Sequence, residues 1–321
     1  MNENIPSNAE TLLNNDIERM ATSKTNSKCE INPLEVAGVV IAFLPSKENI
    51  IQLIETCKVF KNVYLVNNSP EVNIVNTIVK LNLKLPLNLI IYDNPTNLGI
   101  AQALNLGISL AQKELYNWVV TLDQDSKFTS ECLNKMTIAY SVLNDENIAS
   151  INPLIINHGQ IPTLNNNDNN IDIDSCITSG NLLNIKAWQM VGGFEDSLFI
   201  DWVDYELSLR LRKYNYRLIQ ANSARLNHEL GEVSKFKLFN HYILHDIHSP
   251  IRIYYISRNN FYILSNYLFK FPKDCLKTSK DAWVKKLVKT LIFQDNKVKN
   301  LKMISSGLWD GIRGKYGKYE S

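Results

Sequence analysis

The stretch NWVVTLDQDSKF, residues 117–128, sets two carboxylates, Asp123 and Asp125, at the end of an apolar run of Trp118, Val119, Val120 and Leu122. Acids this close repel one another, and beside a core they call for a compensating cation. Three readings fit the residue types. The pair could be nucleophile and general acid toward a phosphate ester. It could be the ligands of a divalent cation bridging the diphosphate of a nucleotide sugar, or it could be a solvated turn. The phosphate-ester pattern expects Thr or Val two residues past the second Asp, where Lys127 stands, and belongs on a domain's first strand.

A second acidic group follows in FIDWVDYELSLRLRKY. Leu207, Leu209, Leu211 and Tyr214 alternate with charges and Glu206 and Arg210 form an i,i+4 pair, so the spacing predicts a helix from Tyr205. Asp201 and Asp204 then lie at its N-terminus, where a carboxylate serves either as an N-cap or as a general base. His241, His245 and His248 are spaced like zinc ligands, but neither an H-E-x-x-H pattern nor a cysteine accompanies them, and loop or interface histidines are the default. Asp168, Asp172 and Asp174 sit in an Asn/Asp-rich stretch that lacks the EF-hand spacing and reads as a solvated loop.

The elements that must position these acids alternate. EVAGVVIAFLP, KNVYLVNNSP, LNLIIYDNPTNLG and YNWVVTLDQDS are strand-like. SKENIIQLIETCKVF, EVNIVNTIVKLNL and IAQALNLGISLAQ between them are helix-like, with Ser46 as an N-cap. The helix-like TSECLNKMTIAYSVLN and the strand-like NIASINPLII follow. Such alternation implies a mostly parallel sheet with helices on both faces. Ligands then bind beyond the carboxyl ends of the strands, where AFLPS, VNNSP and LDQDS converge.

With 321 residues, 45% of them hydrophobic, the chain can bury a large core. Its five scattered cysteines form no C-x-x-C and suit a reduced cytosolic protein. Residues 1–34 read as a flexible, Asn/Ser/Thr-rich tail with a short helix at Ala9 to Met20 and no apolar signal segment. No apolar run approaches the roughly 20 residues of a membrane span. Residues 236–321 carry 16 Lys and Arg against 6 Asp and Glu, whereas residues 1–235 carry 18 against 26. A basic region so rich in aromatics suits a polyanionic partner, above all an anionic membrane surface. Nucleic acid is not expected, since no recognised module is present.

The stretches VVIAFLPS, VYLVNNSP, NLGIAQALNLGI, TLDQDS, TSGNLLN, VGGFEDSLFIDWVDYELSLRLR and LNHELG, continued by IRIYYISRNNFYIL and GLWDGIRGKYGK, resemble the inverting family 2 glycosyltransferases, closest to their bacterial rhamnosyltransferase branch. The resemblance runs from about Val36 almost to the C-terminus. It implies a GT-A, Rossmann-like nucleotide-binding domain over 35–235, with a donor half at 35–126 and an acceptor half at 127–235. Residues 236–321 would add a basic, largely helical region touching the membrane.

By that resemblance Asp123, Asp125 and His228 match the ligands of Mn2+ or Mg2+, and Asp204 matches the catalytic base, with Val203 where a Glu usually stands. Phe43, Pro45, Asn67, Asn68, Asn97, Gly99 and Gln124 match donor-binding positions, and Gly180, Asp201 and Trp202 acceptor-side ones. Relatives carry Val-Asp-Asn where this chain has Val66-Asn67-Asn68. The implied reaction moves L-rhamnose from dTDP-rhamnose onto a lipid-linked oligosaccharide or surface polysaccharide, as in O-antigen or capsule assembly, at the cytosolic membrane face. A UDP-hexose is the alternative donor; an Asp-x-Asp phosphatase or a binding module without turnover would be the departures.

Overall fold

The computed structural model describes residues 29–156, 169–227, 233–238, 241–246, 249–284, 288 and 296–320, with the backbone alone over 233–238, 241–246 and 281–282. The expected helix at Ala9 to Met20, together with Asp168, His228 and His248, lies outside these residues, as do the side chains of His241 and His245.

Strands β1 (Val36–Ala42), β2 (Val63–Asn67), β3 (Leu89–Asp93) and β4 (Trp118–Asp123) alternate with helices α1 (Lys47–Thr56), α2 (Ile74–Lys80) and α3 (Ile100–Lys113). These four strands pair in parallel in the order β3-β2-β1-β4. Helix α4 (Ser130–Leu143) leads to β5 (Ile148–Ile156). Then come β6 (Ile171–Asp172), β7 (Asn181–Asn184), α5 (Ile185–Met190), α6 (Val203–Lys213) and β8 (Arg217–Asn227). They extend one eight-stranded sheet as β4-β7-β5-β8-β6, with β7 antiparallel to β4 and β5, and β8 parallel to β5.

Every residue of β1 is buried, as a central strand covered on both faces demands. Val39 and Ile41 join Tyr64, Val66 and Val119 under α3, α5 and α6, while Val36, Val40 and Ala42 join Val63, Leu65 and Val120 under α1, α2 and α4. The period-2 alternation thus feeds two cores, one on each face of the sheet. Ser46 caps α1 in a reciprocal capping box with Asn49.

Three local features depart from expectation. Residues of the supposed tail pack: Ile31 is buried and the Cys29 N–H donates to Asn144 Oδ1 at the end of α4. In the Asn/Asp-rich stretch, Ile171–Asp172 forms the edge strand β6, pinned by Arg217 ion-paired to Asp172 and Asp145, while Arg212 pairs with Asp174. Across residue 236 runs a hairpin of β9 (Val233–Leu238) and β10 (His241–Asp246), where helix was expected. Val233, Phe236, Tyr242 and Ile243 are residues of high strand propensity.

The C-terminal helices α7 (Pro250–Tyr267), α8 (Pro272–Ser279) and α9 (Lys297–Ile312) close the molecule. Helix α9 packs on α7 through Gly307 and Gly311. Helix α7 packs on α6 and the segment before it through a buried network. Glu206 on α6 is 1% exposed, pairs with Arg210 at 2.6 Å and accepts from the Tyr267 hydroxyl of α7, while Tyr262 donates to Glu195. Burial pushes Glu206 above the usual carboxylate range, against the pull of Arg210.

Candidate active site

Parallel register brings four strand ends to one edge. Asp123 pairs with Ile41, Ala42 with Asn67, and Asn67 with Asp93. The loops beyond them are tied to each other. Phe43 N–H donates to Gln124 Oε1 (2.9 Å) and Gln124 Nε2 donates back to Phe43 O (3.2 Å), linking the β1 and β4 ends. Beside Phe43, Pro45 leads into the Ser46 cap of α1.

Asn67 is buried, with its Nδ2 donating to Asp93 Oδ1 and Val72 O (both 2.8 Å) and its Oδ1 accepting from Ser69 N–H. Asn68, also buried, donates to Gly99 O and accepts from Asn94. Asn97 accepts from the Gly99 N–H, and Gly99, at φ +81°, starts α3. A Cβ on Gly99 would sit 2.5 Å from Phe199 O, so the β3–α3 loop reaches the segment before α6 only because this residue is glycine.

Facing these strand ends is the turn Phe199–Trp202. Phe199, Asp201 and Trp202 all have left-handed φ (64°, 61° and 67°), each costing on the order of 1 kcal/mol or more for a non-glycine residue. Ile100 N–H donates to Phe199 O, joining the turn to the start of α3. Asp201 pairs with Arg252 of α7 at 3.0 Å. Trp202 is buried and its indole N–H donates to Ile256 O, so its hydrogen-bonding group is spent inside the protein. Gly180, at φ +79°, binds Thr121 O through its N–H one strand over from Asp123.

Asp204 lies in the first turn of α6, half-buried, its Oδ1 accepting from Tyr205 N–H. Burial first, then the negative charges of Asp123 and Asp201, push it up to about 6. Asp204 thus feels the charge of Asp123 at the strand end; Asp123 is half-buried and Asp125 exposed. Among the described residues no group of three His, Cys, Asp or Glu side chains forms a ready cation cage. The two β4 carboxylates are nonetheless hard oxygen donors of the kind Mg2+ or Mn2+ takes, and the charge that accumulates from Asp123 to Asp204 is what a cation would offset.

Sequence reasoning missed Arg252, whose ion pair holds Asp201, and the burial of Arg258 and Asn259 on α7. The signal was available: Arg258 and Asn259 interrupt a helix whose neighbouring turns, Tyr254–Ile256 and Phe261–Ile263, are aromatic and apolar. Two long polar side chains in such a setting must find buried partners.

This mixed α/β sheet fits the GT-A fold, and residues 39–155 match the family model for glycosyl transferase family 2. The chain thus carries a family 2 glycosyltransferase domain. It is 28% identical over 236 residues to the dTDP-rhamnosyl transferase RfbF of Shigella flexneri, covering 68% of this chain and 76% of the relative. Among solved structures, GalNAc-T7 with UDP, GalNAc and Mn2+ superposes with a TM-score of 0.54 at 12% identity, which speaks to the fold alone. That match covers 88% of this chain, which spans little more than half (56%) of that structure's length.

Proposed function

We propose that the chain is an inverting, divalent-cation-dependent transferase that moves L-rhamnose from dTDP-rhamnose onto a hydroxyl of a lipid-linked oligosaccharide or surface polysaccharide. The observation that carries this is the placement of Asp204, half-buried at a helix start and coupled to Asp123 at the strand end. Its carboxylate accepts the acceptor hydroxyl's proton while that oxygen attacks the anomeric carbon. The bond from that carbon to the β-phosphate oxygen breaks, and the nucleoside diphosphate leaves from the opposite face. One displacement inverts the configuration and needs no covalent enzyme intermediate. Asp123 and Asp125, with His228 as a further ligand, would hold a divalent ion, which would supply Lewis-acid stabilisation of the leaving diphosphate.

The likeness to a dTDP-rhamnosyl transferase supports the donor. Asn67, which stands where relatives carry an Asp, is hydrogen-bonded to Asp93, so the carboxylate at this edge comes from β3 instead. That exchange keeps a UDP-hexose as the rival donor. The acceptor's membrane is supported by α9. Its outer face exposes Val298 (82%), Leu301, Trp309 (59%) and Ile312 in one helical stripe, beside Lys297, Lys299, Lys302 and Arg313. Aromatic and aliphatic residues rimmed by cations suit the interface of an anionic bilayer. Among the described residues no helix is long and apolar enough to cross a membrane.

The test is release of nucleoside diphosphate from dTDP-rhamnose, UDP-glucose and UDP-galactose, each with Mn2+ and with excess EDTA. We expect turnover of dTDP-rhamnose that stops in EDTA and falls strongly in Asp125→Asn. Undiminished turnover in EDTA overturns the cation's role, and turnover of a UDP-hexose alone overturns the donor.

A further inference from the structure

Helix α7 presents two side chains to the backbone of the strained turn. Arg258, 1% exposed, donates through Nη2 to the carbonyls of Ser197 (3.2 Å) and Leu198 (3.0 Å), and through Nη1 to Gly317 O (2.6 Å). Its guanidinium lies 4.9 Å from the ring centre of Tyr255 and 5.5 Å from those of Tyr254 and Tyr316. Asn259, fully buried, donates through Nδ2 to the carbonyls of Leu198 (2.9 Å), Ile200 (2.8 Å) and Asp201 (3.0 Å). Arg258 Nε donates to Asn259 Oδ1, which orients that amide with its donors toward the turn. The C-terminal segment adds a strap, since Gly317 N–H donates to Ser197 O.

A turn with three left-handed, non-glycine residues persists only where its surroundings over-determine it. Here the carbonyls of residues 197, 198, 200 and 201 face α7, while that of Phe199 faces Ile100. Asp201 and Asp204 sit on and just after this turn, so their reach toward a substrate is set by it.

We propose that Arg258 and Asn259 are positioning residues for transfer, holding the Phe199–Trp202 turn so that the acids it carries meet the strand ends. The C-terminal helices are then a wall of the active site as well as a membrane-facing surface. The proposal rests on Asp204 acting as the base. A purely structural role predicts something different: loss of activity only in step with loss of folding.

The experiment compares Asn259→Ala with Asn88→Ala, which removes the Asn88 amide bonds to the carbonyls of Cys57 and Phe60 at the amino-terminal edge of the sheet, away from the turn. The readouts are melting temperature, affinity for the free nucleoside diphosphate, kcat and KM for whichever donor the wild type turns over, and hydrogen exchange of the residue 197–204 amides. We expect Asn259→Ala to lose roughly 10- to 100-fold in kcat, the range a displacement of about 1 Å produces. Its nucleotide affinity should stay within about threefold and exchange should rise across the turn, changes of order unity by comparison. Asn88→Ala should lose melting temperature and keep kcat. If Asn259→Ala fails to fold, Asn259→Ser, which keeps one donor, takes its place and should fall between the two.

A kcat for Asn259→Ala or Asn259→Ser equal to wild type overturns the proposal, as does unchanged exchange at the turn. A wild type that turns over no nucleotide sugar would overturn the donor reading instead. In that case the exchange measurement still decides whether these side chains hold the turn.

Discussion

At the residue scale, Asp204 couples function to stability with a definite sign. Its folded value of about 6 lies above the ordinary 3.8. The folded chain therefore takes up this proton at higher pH than the unfolded chain does. Asp204 carries no penalty below about pH 4, and the penalty grows as pH rises through about 6. By pH 7 the ionised group costs on the order of 2–3 kcal/mol. Asn is neutral throughout, so Asp204→Asn should melt higher than wild type at pH 7–8 in EDTA, with the difference shrinking toward pH 4. Turnover should meanwhile drop by roughly two to four orders of magnitude, the contribution of a positioned base. In the wild type, kcat/KM should rise with pH through about 6 and then level off. A variant that melts lower at pH 8, or transfers sugar at wild-type rate, would show that another acid is the base.

At the scale of elements, the contact of α9 with α7 is set by small residues. A Cβ on Gly307 would lie 2.4 Å from the backbone oxygen of Tyr254, and one on Gly311 would lie 2.9 Å from Phe261 Cβ. No rotamer change can relieve a clash with a backbone atom, so the two helices must part. Gly307→Ala should therefore lower stability by about 1–3 kcal/mol, the range of overpacked cores. Urea unfolding followed by circular dichroism measures it, and an unchanged midpoint would mean that the helices are not in this close register. The carrier of the turn-holding residues is α7, so any separation of α7 from α9 should also reach the active site.

At the scale of the whole molecule, charge is divided: 16 cations against 6 acids after residue 235, and 18 against 26 before it. Net charge of opposite sign in the two parts favours one orientation on an anionic surface, with the acidic catalytic part held away. We expect cosedimentation with vesicles containing anionic lipid at about 0.05 M salt and release at about 0.5 M, as screening shortens to a few ångströms. Trp309 is exposed on the apolar stripe of α9, and its replacement by Ser should weaken the binding that survives salt. Equal binding to neutral vesicles at both salt concentrations would remove charge as the driving term.

The sequence by itself determined the alternating core. Hydrophobic periodicity is local, so β1 to β4, their helices and the acids at the β4 end could be read without tertiary information, as could a helix from Tyr205, which the structure begins at Val203. Burial by distant segments is not local, and there the reading stopped. Nothing in VDYELSLR says that Glu206 will be enclosed by Tyr267, sixty-one residues on. Trp202 matches an acceptor-side position by resemblance, but only the fold shows its indole N–H taken up by Ile256 O. Asp204 and Asp123 influence one another only because a strand end and a helix start meet across the sheet edge. Arg258 and Asn259 read as polar interruptions of an aromatic helix; their partners are backbone carbonyls some sixty positions away, which carry no side-chain signature at all. A carbonyl is present at every residue, so only the folded chain decides which ones a buried guanidinium and amide will hold.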